Sequence, residues 1–119
     1  EIIFENKINN PKLRIQMDPN LFYRMLENIL KNALSYTEEQ IRVTISDPEN
    51  KLIIRISDQG KGISEDVIDK INREDLTNVT RHGLGILISK QIAQLHGGDF
   101  VIENQDPGLQ VSFLFNHIH

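Results

Sequence analysis

The chain has 119 residues, 39% of them apolar and 25% charged, which suits one soluble domain with a single core. Thirteen basic residues against seventeen acidic ones give a net charge of −4, with no electrostatic footprint for nucleic acid or for direct contact with an anionic membrane. With no cysteine there is no disulfide framework and no thiolate metal site, and the apolar runs, such as Leu84-Gly85-Ile86-Leu87-Ile88, are too short to span a bilayer.

Residues 2–4 and then Leu13, Ile15 and Met17 read as short strands separated by Asn9-Asn10-Pro11. Residues 1–6 lack the basic and apolar stretches of a secretion signal, and from the start on Glu1 without a methionine a fragment of a longer chain is expected. A cytoplasmic location fits the absence of cysteine. After Asp18-Pro19-Asn20, where Asp18 or Asn20 can cap, Leu21, Phe22, Met25, Leu26, Ile29, Leu30 and Ala33 recur at helical spacing. Ile41, Val43 and Ile45 then alternate with polar residues, as do Leu52, Ile54 and Ile56. The turn cluster Asp47-Pro48-Glu49-Asn50 makes these two runs a hairpin.

A short helix is expected from about Ser64, with Glu65 and Asp66 in its first turn, where the helix dipole favours acids. Residues 73–81 lack a period and read as a loop. A second long helix is expected from residue 84 to about 96, with Leu84, Leu87, Ile88, Ile92 and Leu95 as its stripe and Gly97-Gly98 as its stop. Residues 100–103 and 109–115 form a last hairpin around Asp106-Pro107-Gly108. Strands and helices are mixed without regular alternation, which predicts an α+β layer of helices on one sheet.

Three constellations could carry chemistry. Asn28, Asn32 and Ser35 stand at i, i+4, i+7, one ridge of the long helix bordering the apolar face, with Tyr36 beside it. Asparagine is a poor helix former, and an amide oxygen is a hard neutral ligand suited to Mg²⁺; the alternative is a solvated polar face. Asp58-Gln59-Gly60-Lys61-Gly62-Ile63 follows a strand. A carboxylate there can accept from an exocyclic amine while glycine backbone approaches a flat ring, although Asp and Gly are also ordinary turn residues. Arg81-His82-Gly83-Leu84-Gly85-Ile86 opens a helix with a glycine pair, where amides and cleared space can take phosphate. A lone Gly-x-Gly is weak, and this one lacks the ending of a P-loop.

In this order the three supply metal, adenine and phosphate sites, and the sequence resembles the GHKL superfamily of gyrase, heat-shock chaperone ATPases, histidine kinases and mismatch-repair ATPases. Leu26-Glu27-Asn28-Ile29-Leu30-Lys31-Asn32-Ala33-Leu34-Ser35-Tyr36-Thr37 resembles the histidine kinase N box, residues 58–63 the G1 box and Gly83-Leu84-Gly85-Ile86 the G2 box. His96-Gly97-Gly98 before a strand matches the family's close, so the likeness covers essentially the whole chain.

The resemblance implies the Bergerat ATP-binding fold, a two-layer α/β sandwich whose mixed, mostly antiparallel sheet carries about three helices on one face. It implies ATP and Mg²⁺, with Asn32 as the metal ligand, Tyr36 against the base and Asp58 reading the adenine amine. Gly60, Gly62 and Ile63 would shape the base pocket, and Gly83, Leu84 and Gly85 would meet the phosphates. Arg73 would be the lid arginine reaching the γ-phosphate. Family members that hydrolyse ATP with water carry a glutamate where this chain has Asn28, which cannot take a proton. That points to transfer onto a histidine of a separate dimerisation domain, with a response regulator downstream. None of His82, His96, His117 or His119 lies in such a motif, so this chain is expected to bind ATP without phosphorylating itself.

Departures from the family pattern are Ser35 in place of a cation, with Lys31 a turn away, and Val67, Ile68 and Ile71 in place of the Phe-rich F box. The lid of about residues 73–82 is short, and Arg81-His82 precedes the glycine pair, with His82 a candidate phosphate contact. Two other readings follow: a degenerate module that binds ATP as a sensor or docking surface, or a stand-alone serine kinase of the anti-sigma-factor type.

Overall fold

The computed structural model describes residues 1–36, 39–75, 77 and 81–117; the side chains of Tyr36, Arg81 and His82 lie outside that description. Five strands and three α-helices follow in the order β1 (Ile2–Lys7), α1 (Pro19–Tyr36), β2 (Ile41–Ser46), β3 (Lys51–Asp58), α2 (Glu65–Arg73), α3 (Arg81–Leu95), β4 (Asp99–Asn104) and β5 (Leu109–Asn116). The sheet order is β1-β2-β3-β5-β4, and only the β1–β2 pairing is parallel, so the fold is α+β with a mixed, mostly antiparallel sheet.

Register follows the alternation in the sequence. Ile45 pairs with Ile54, Ile54 with Phe113, and Phe113 with Phe100, so one apolar row crosses four strands on the helix-facing side. The rings of Phe100 and Phe113 meet at 5.6 Å between centroids. The opposite face is polar, with Arg55 Nε donating to Ser112 Oγ and the Ser57 hydroxyl to Gln110 across neighbouring strands. A slip of one residue in β3 would turn its buried Ile54 and Ile56 to solvent, at about 1.5–3 kcal/mol for each side chain re-exposed.

Asp18 caps α1, its Oδ1 accepting from the amides of Asn20 and Leu21 at 2.9 and 3.2 Å, with Pro19 at the first helical position where no amide is needed. Met25, Ile29 and Ala33 are buried as the spacing predicts. Ser64 caps α2 by accepting from the Val67 amide, and Ile68 and Ile71 enter the core.

Two expectations need correction. Residues 8–18 join no sheet: Leu13, Ile15 and Met17 lie in an irregular crossing segment, with Ile15 and Met17 packed against the core. It is pinned by single contacts, such as the Arg14 amide donating to His117 Nδ1 at 2.9 Å, and by Asp47, whose carboxylate takes the amides of Asn9 and Asn10. The stripe of α3 also differs. Leu84 and Leu95 are 44% and 72% exposed, while Ile86, Leu87, Ser89, Ile92 and Ala93 are buried. This helix packs against α1, α2 and β4 at once, so most of its circumference is covered and a one-sided pattern misreads it.

The end of α3 is as expected. Gly97 takes a positive φ of 72°, its amide donating to Gln94 C=O at 2.9 Å, while the Gly98 amide donates to Ala93 C=O at 2.8 Å. This is the paired closure that a glycine past a helix end permits.

Candidate nucleotide-binding site

Two hydrogen bonds fix how α1 lies on α3. Ser89 Oγ, wholly buried, donates to Met25 C=O at 2.8 Å, and the Asp18 amide donates to His96 Nε2 at 3.1 Å. The ring proton of His96 therefore sits on Nδ1, 2.8 Å from Ile92 C=O. From the first contact to the second is seven residues back toward the start of α1 and seven forward past the end of α3, so the helices are antiparallel. Carried seven residues further, the same antiparallel register brings Asn32 to the level of the first turn of α3. Since α1 leads into β2, whose first residue Ile41 pairs with Asp58, the end of β3 lies at this same pole of the molecule.

Asn32 is 5% exposed, and its Oδ1 is the one buried side-chain oxygen or nitrogen among the described residues with no hydrogen-bond partner. A buried amide oxygen left bare costs on the order of 1–3 kcal/mol. An oxygen-seeking divalent cation is what would satisfy it, so the residues present fit Mg²⁺. Asn28, one turn earlier, is half-buried. Ser35 is exposed and donates to Lys31 C=O of its own helix at 2.9 Å, while Lys31 pairs with Glu27 at 3.6 Å on the solvent side. Neither of these is turned toward the ridge's buried end.

Asp58 is 6% exposed at the end of β3. Its Oδ1 accepts from the Gly60 amide at 2.9 Å and from the Leu109 amide at 3.3 Å, which orients the carboxylate, and no described residue bonds Oδ2. Gly62 has φ of 75°. A Cβ there would come within 2.4 Å of Asn104 Oδ1, so the packing of the loop itself already calls for glycine at this position. Ile63 packs on the core from the same loop.

The glycine pair lies inside α3, not ahead of it, because the helix opens at Arg81, three residues before the expected start. Gly83 is buried, and the side of Gly85 where a Cβ would point is open space. The side-chain positions expected for Tyr36 and His82 lie outside the described residues, as does part of the lid. Arg73 ends α2 with its guanidinium 2.9 Å from Asp69, on the exposed side of that helix.

Two residues near the site carry no signal in the sequence. Lys90, 8% exposed, donates to Ile71 and Asn72 C=O at 3.0 and 2.9 Å and faces Glu74 at 3.7 Å, closing the carbonyl end of α2. Asn104 bonds the Ile63 backbone twice. Among the described residues there is no cluster of three or more His, Asp and Glu side chains able to hold a metal, and no helix long and apolar enough to cross a membrane.

Residues 17–117 match the family described as histidine kinase-, DNA gyrase B-, and HSP90-like ATPase. The chain is 34% identical over 107 residues to the sensor protein kinase CarS of Pseudomonas aeruginosa, covering 86% of this chain and 24% of CarS. It is 31% identical over 122 residues to the sensor histidine kinase WalK of Bacillus subtilis, covering 92% of this chain and 20% of WalK. It therefore spans about a quarter or less of these relatives. The catalytic domain of histidine kinase ThkA superposes with a TM-score of 0.77 at 27% identity, covering 98% of this chain and 79% of that one. The chain belongs to the histidine kinase-, DNA gyrase B-, and HSP90-like ATPase family, as an ATP-binding catalytic domain of the sensor histidine kinase type.

Proposed function

We propose that this domain binds Mg-ATP and donates the γ-phosphoryl group to a histidine on a separate dimerisation domain, from which a response regulator takes it. The observation that carries the metal part is the buried Oδ1 of Asn32, which has no hydrogen-bond partner among the described residues. When bound there, Mg²⁺ supplies charge neutralisation between the phosphate oxygens. Asn32 offers the neutral oxygen, and the open side of Gly85 leaves room for the phosphate chain. Asp58, held through Oδ1 by Gly60 and Leu109, presents Oδ2 to the adenine amine. Guanine would set a carbonyl against that acceptor and be rejected. Gly60, Gly62 and Ile63 form the surface on which the base lies, with Tyr36 in the role against the base that the family likeness implies. The backbone of Gly83 and Leu84, with His82, meets the phosphates, and Arg73 reaches the γ-phosphate once it leaves Asp69.

Asn28 cannot accept a proton, and its neighbour Glu27 is paired outward with Lys31. The ridge thus holds no base for water, which favours an imidazole nucleophile that attacks unaided when neutral. None of the four histidines of the sequence lies in a phosphoacceptor helix motif, so on this reading the domain is inactive alone. A second reading, a module that binds ATP without transferring phosphate, draws on Ser35 turned onto its own helix and Arg73 engaged by Asp69.

Mixing the domain with ATP, Mg²⁺ and the dimerisation domain of its parent should yield acid-labile phosphohistidine. Tight ATP binding without transfer would favour the second reading. Calorimetry should show ATP binding far tighter than GTP binding, and Asp58→Ala should abolish the preference; equal binding of the two nucleotides by the unmodified domain would remove the role given to Asp58.

A further inference from the structure

Asn104, the last residue of β4, grips the loop after Asp58 with both ends of its amide. Its Oδ1 accepts from the Ile63 amide at 3.0 Å, and its Nδ2 donates to Ile63 C=O at 2.6 Å. The same Nδ2 donates to Glu65 Oε1 at 3.0 Å, in the first turn of α2. One side chain thus satisfies both backbone groups of Ile63, much as a neighbouring strand would. The surroundings leave no slack. Gly62, at positive φ, has room for no Cβ beside Asn104 Oδ1 and Gly108 C=O, and the Gly108 backbone lies directly on that of Asp58.

Residues 60–63 are consequently tied at two points: Gly60 to the Asp58 carboxylate and Ile63 to Asn104. The first tie is local; the second is long-range and, with the packing of Ile63 on the core, fixes the far end of the loop. From this geometry we infer that Asn104 is a positioning residue for base recognition, holding the 60–63 backbone at the distance from Asp58 at which a purine lying on it must present its amine to Oδ2. A loop free to pivot would let a purine slide along its own plane until another edge met the acceptor, which would erode discrimination between adenine and guanine. The inference rests on the proposed role of Asp58.

The test is calorimetry with ADP and GDP on the unmodified domain, Asn104→Ala and Asn104→Asp, together with ATP with and without Mg²⁺. Asn104→Ala should weaken ADP binding about tenfold, the scale of a lost hydrogen-bond pair, and GDP binding by under about twofold. The preference for ADP then contracts. The Mg²⁺-dependent gain in ATP affinity should not move, because Asn32 stands on a different element. Asn104→Asp is isosteric and keeps the acceptor for the Ile63 amide, but it sets an oxygen against Ile63 C=O and the Glu65 carboxylate. It should contract the preference in the same direction and supplies the reading if the alanine variant does not fold. A folded variant with the full preference for ADP overturns the inference, whether both affinities fall together or neither does. Equal binding of ADP and GDP by the unmodified domain removes the role of Asp58, and the inference with it.

Discussion

Ser89 on α3 donates its hydroxyl to the carbonyl of Met25 on α1 at 2.8 Å, inside an interface where both side chains are wholly buried. Met25 C=O sits in the interior of α1, so Ser89 adds a second bond to a carbonyl that the helix ladder already uses. Ser89→Ala should therefore cost only about 1 kcal/mol of unfolding free energy in urea titration. It should also relax the register of α1 on α3, so the Mg²⁺-dependent part of ATP affinity should fall by a small factor while adenosine binding holds. A loss of several kcal/mol, or an unchanged Mg²⁺ term, would contradict this role.

Asn32→Leu should separate stability from function. Removing an amide whose oxygen is buried and bare relieves an unmet polar cost on the order of 1–3 kcal/mol. Without nucleotide, the variant should melt no lower than the parent domain. The gain in ATP affinity on adding Mg²⁺ should vanish. A marked fall in the melting temperature would show that the amide oxygen is satisfied in solution.

Gly85→Ala and Gly108→Ala should act in opposite directions on stability. The Gly85 site is open within a helix, where alanine is favoured by roughly 0.5–1 kcal/mol. That variant should be at least as stable as its parent yet bind ATP less well, because the methyl enters the space assigned to phosphate. At Gly108, φ is 100° and a Cβ would fall 1.9 Å from Asp58 C=O. Its variant should lose on the order of 2–4 kcal/mol by chemical denaturation. Full ATP affinity in Gly85→Ala would move the phosphate site elsewhere.

Asp47 accepts from the Asn9 amide and then the Asn10 amide, and these bonds hold its carboxyl below the usual carboxylate range, with partial burial opposing them. For a group whose folded pKa is depressed, the stabilisation is full above the unfolded value near 3.8 and is lost as pH falls through the lower folded value. The urea midpoint should thus fall as pH drops below the ordinary carboxylate range. Asp47→Asn should flatten that part of the profile, and an identical acid slope in the variant would exclude the linkage. Asp75, lowered by the Thr77 amide and hydroxyl, contributes in the same direction and remains in both proteins.

The sheet, the long helix α1 and the cap and stop residues were legible because each leaves a periodic or positional mark. Ile41, Val43 and Ile45 alternate; Met25, Ile29 and Ala33 repeat every turn; Asp18, Ser64 and Gly97 stand where helix ends need them. The strand expected at Leu13, Ile15 and Met17 shows the limit. Alternation there reflects packing against the core from an irregular segment, and no neighbour offers a ladder. The stripe of α3 failed for a related reason, since a helix enclosed by three neighbours has no single apolar face to display.

The order of Asn28 and Asn32, Asp58 and the Gly83–Gly85 pair determined by itself the family and the chemistry to expect, because ligand atoms are properties of residue types. The tertiary structure decided how those pieces meet. The Ser89–Met25 and Asp18–His96 contacts set which turn of α1 faces the start of α3, and Asn104 joins β4 to the loop beyond Asp58. Such bonds link residues 41 to 78 positions apart, between single side chains and backbone groups with no period in the sequence. They exist only once the core has brought the elements together, and among the described residues they leave the Asn32 oxygen as the one buried side-chain acceptor without a donor.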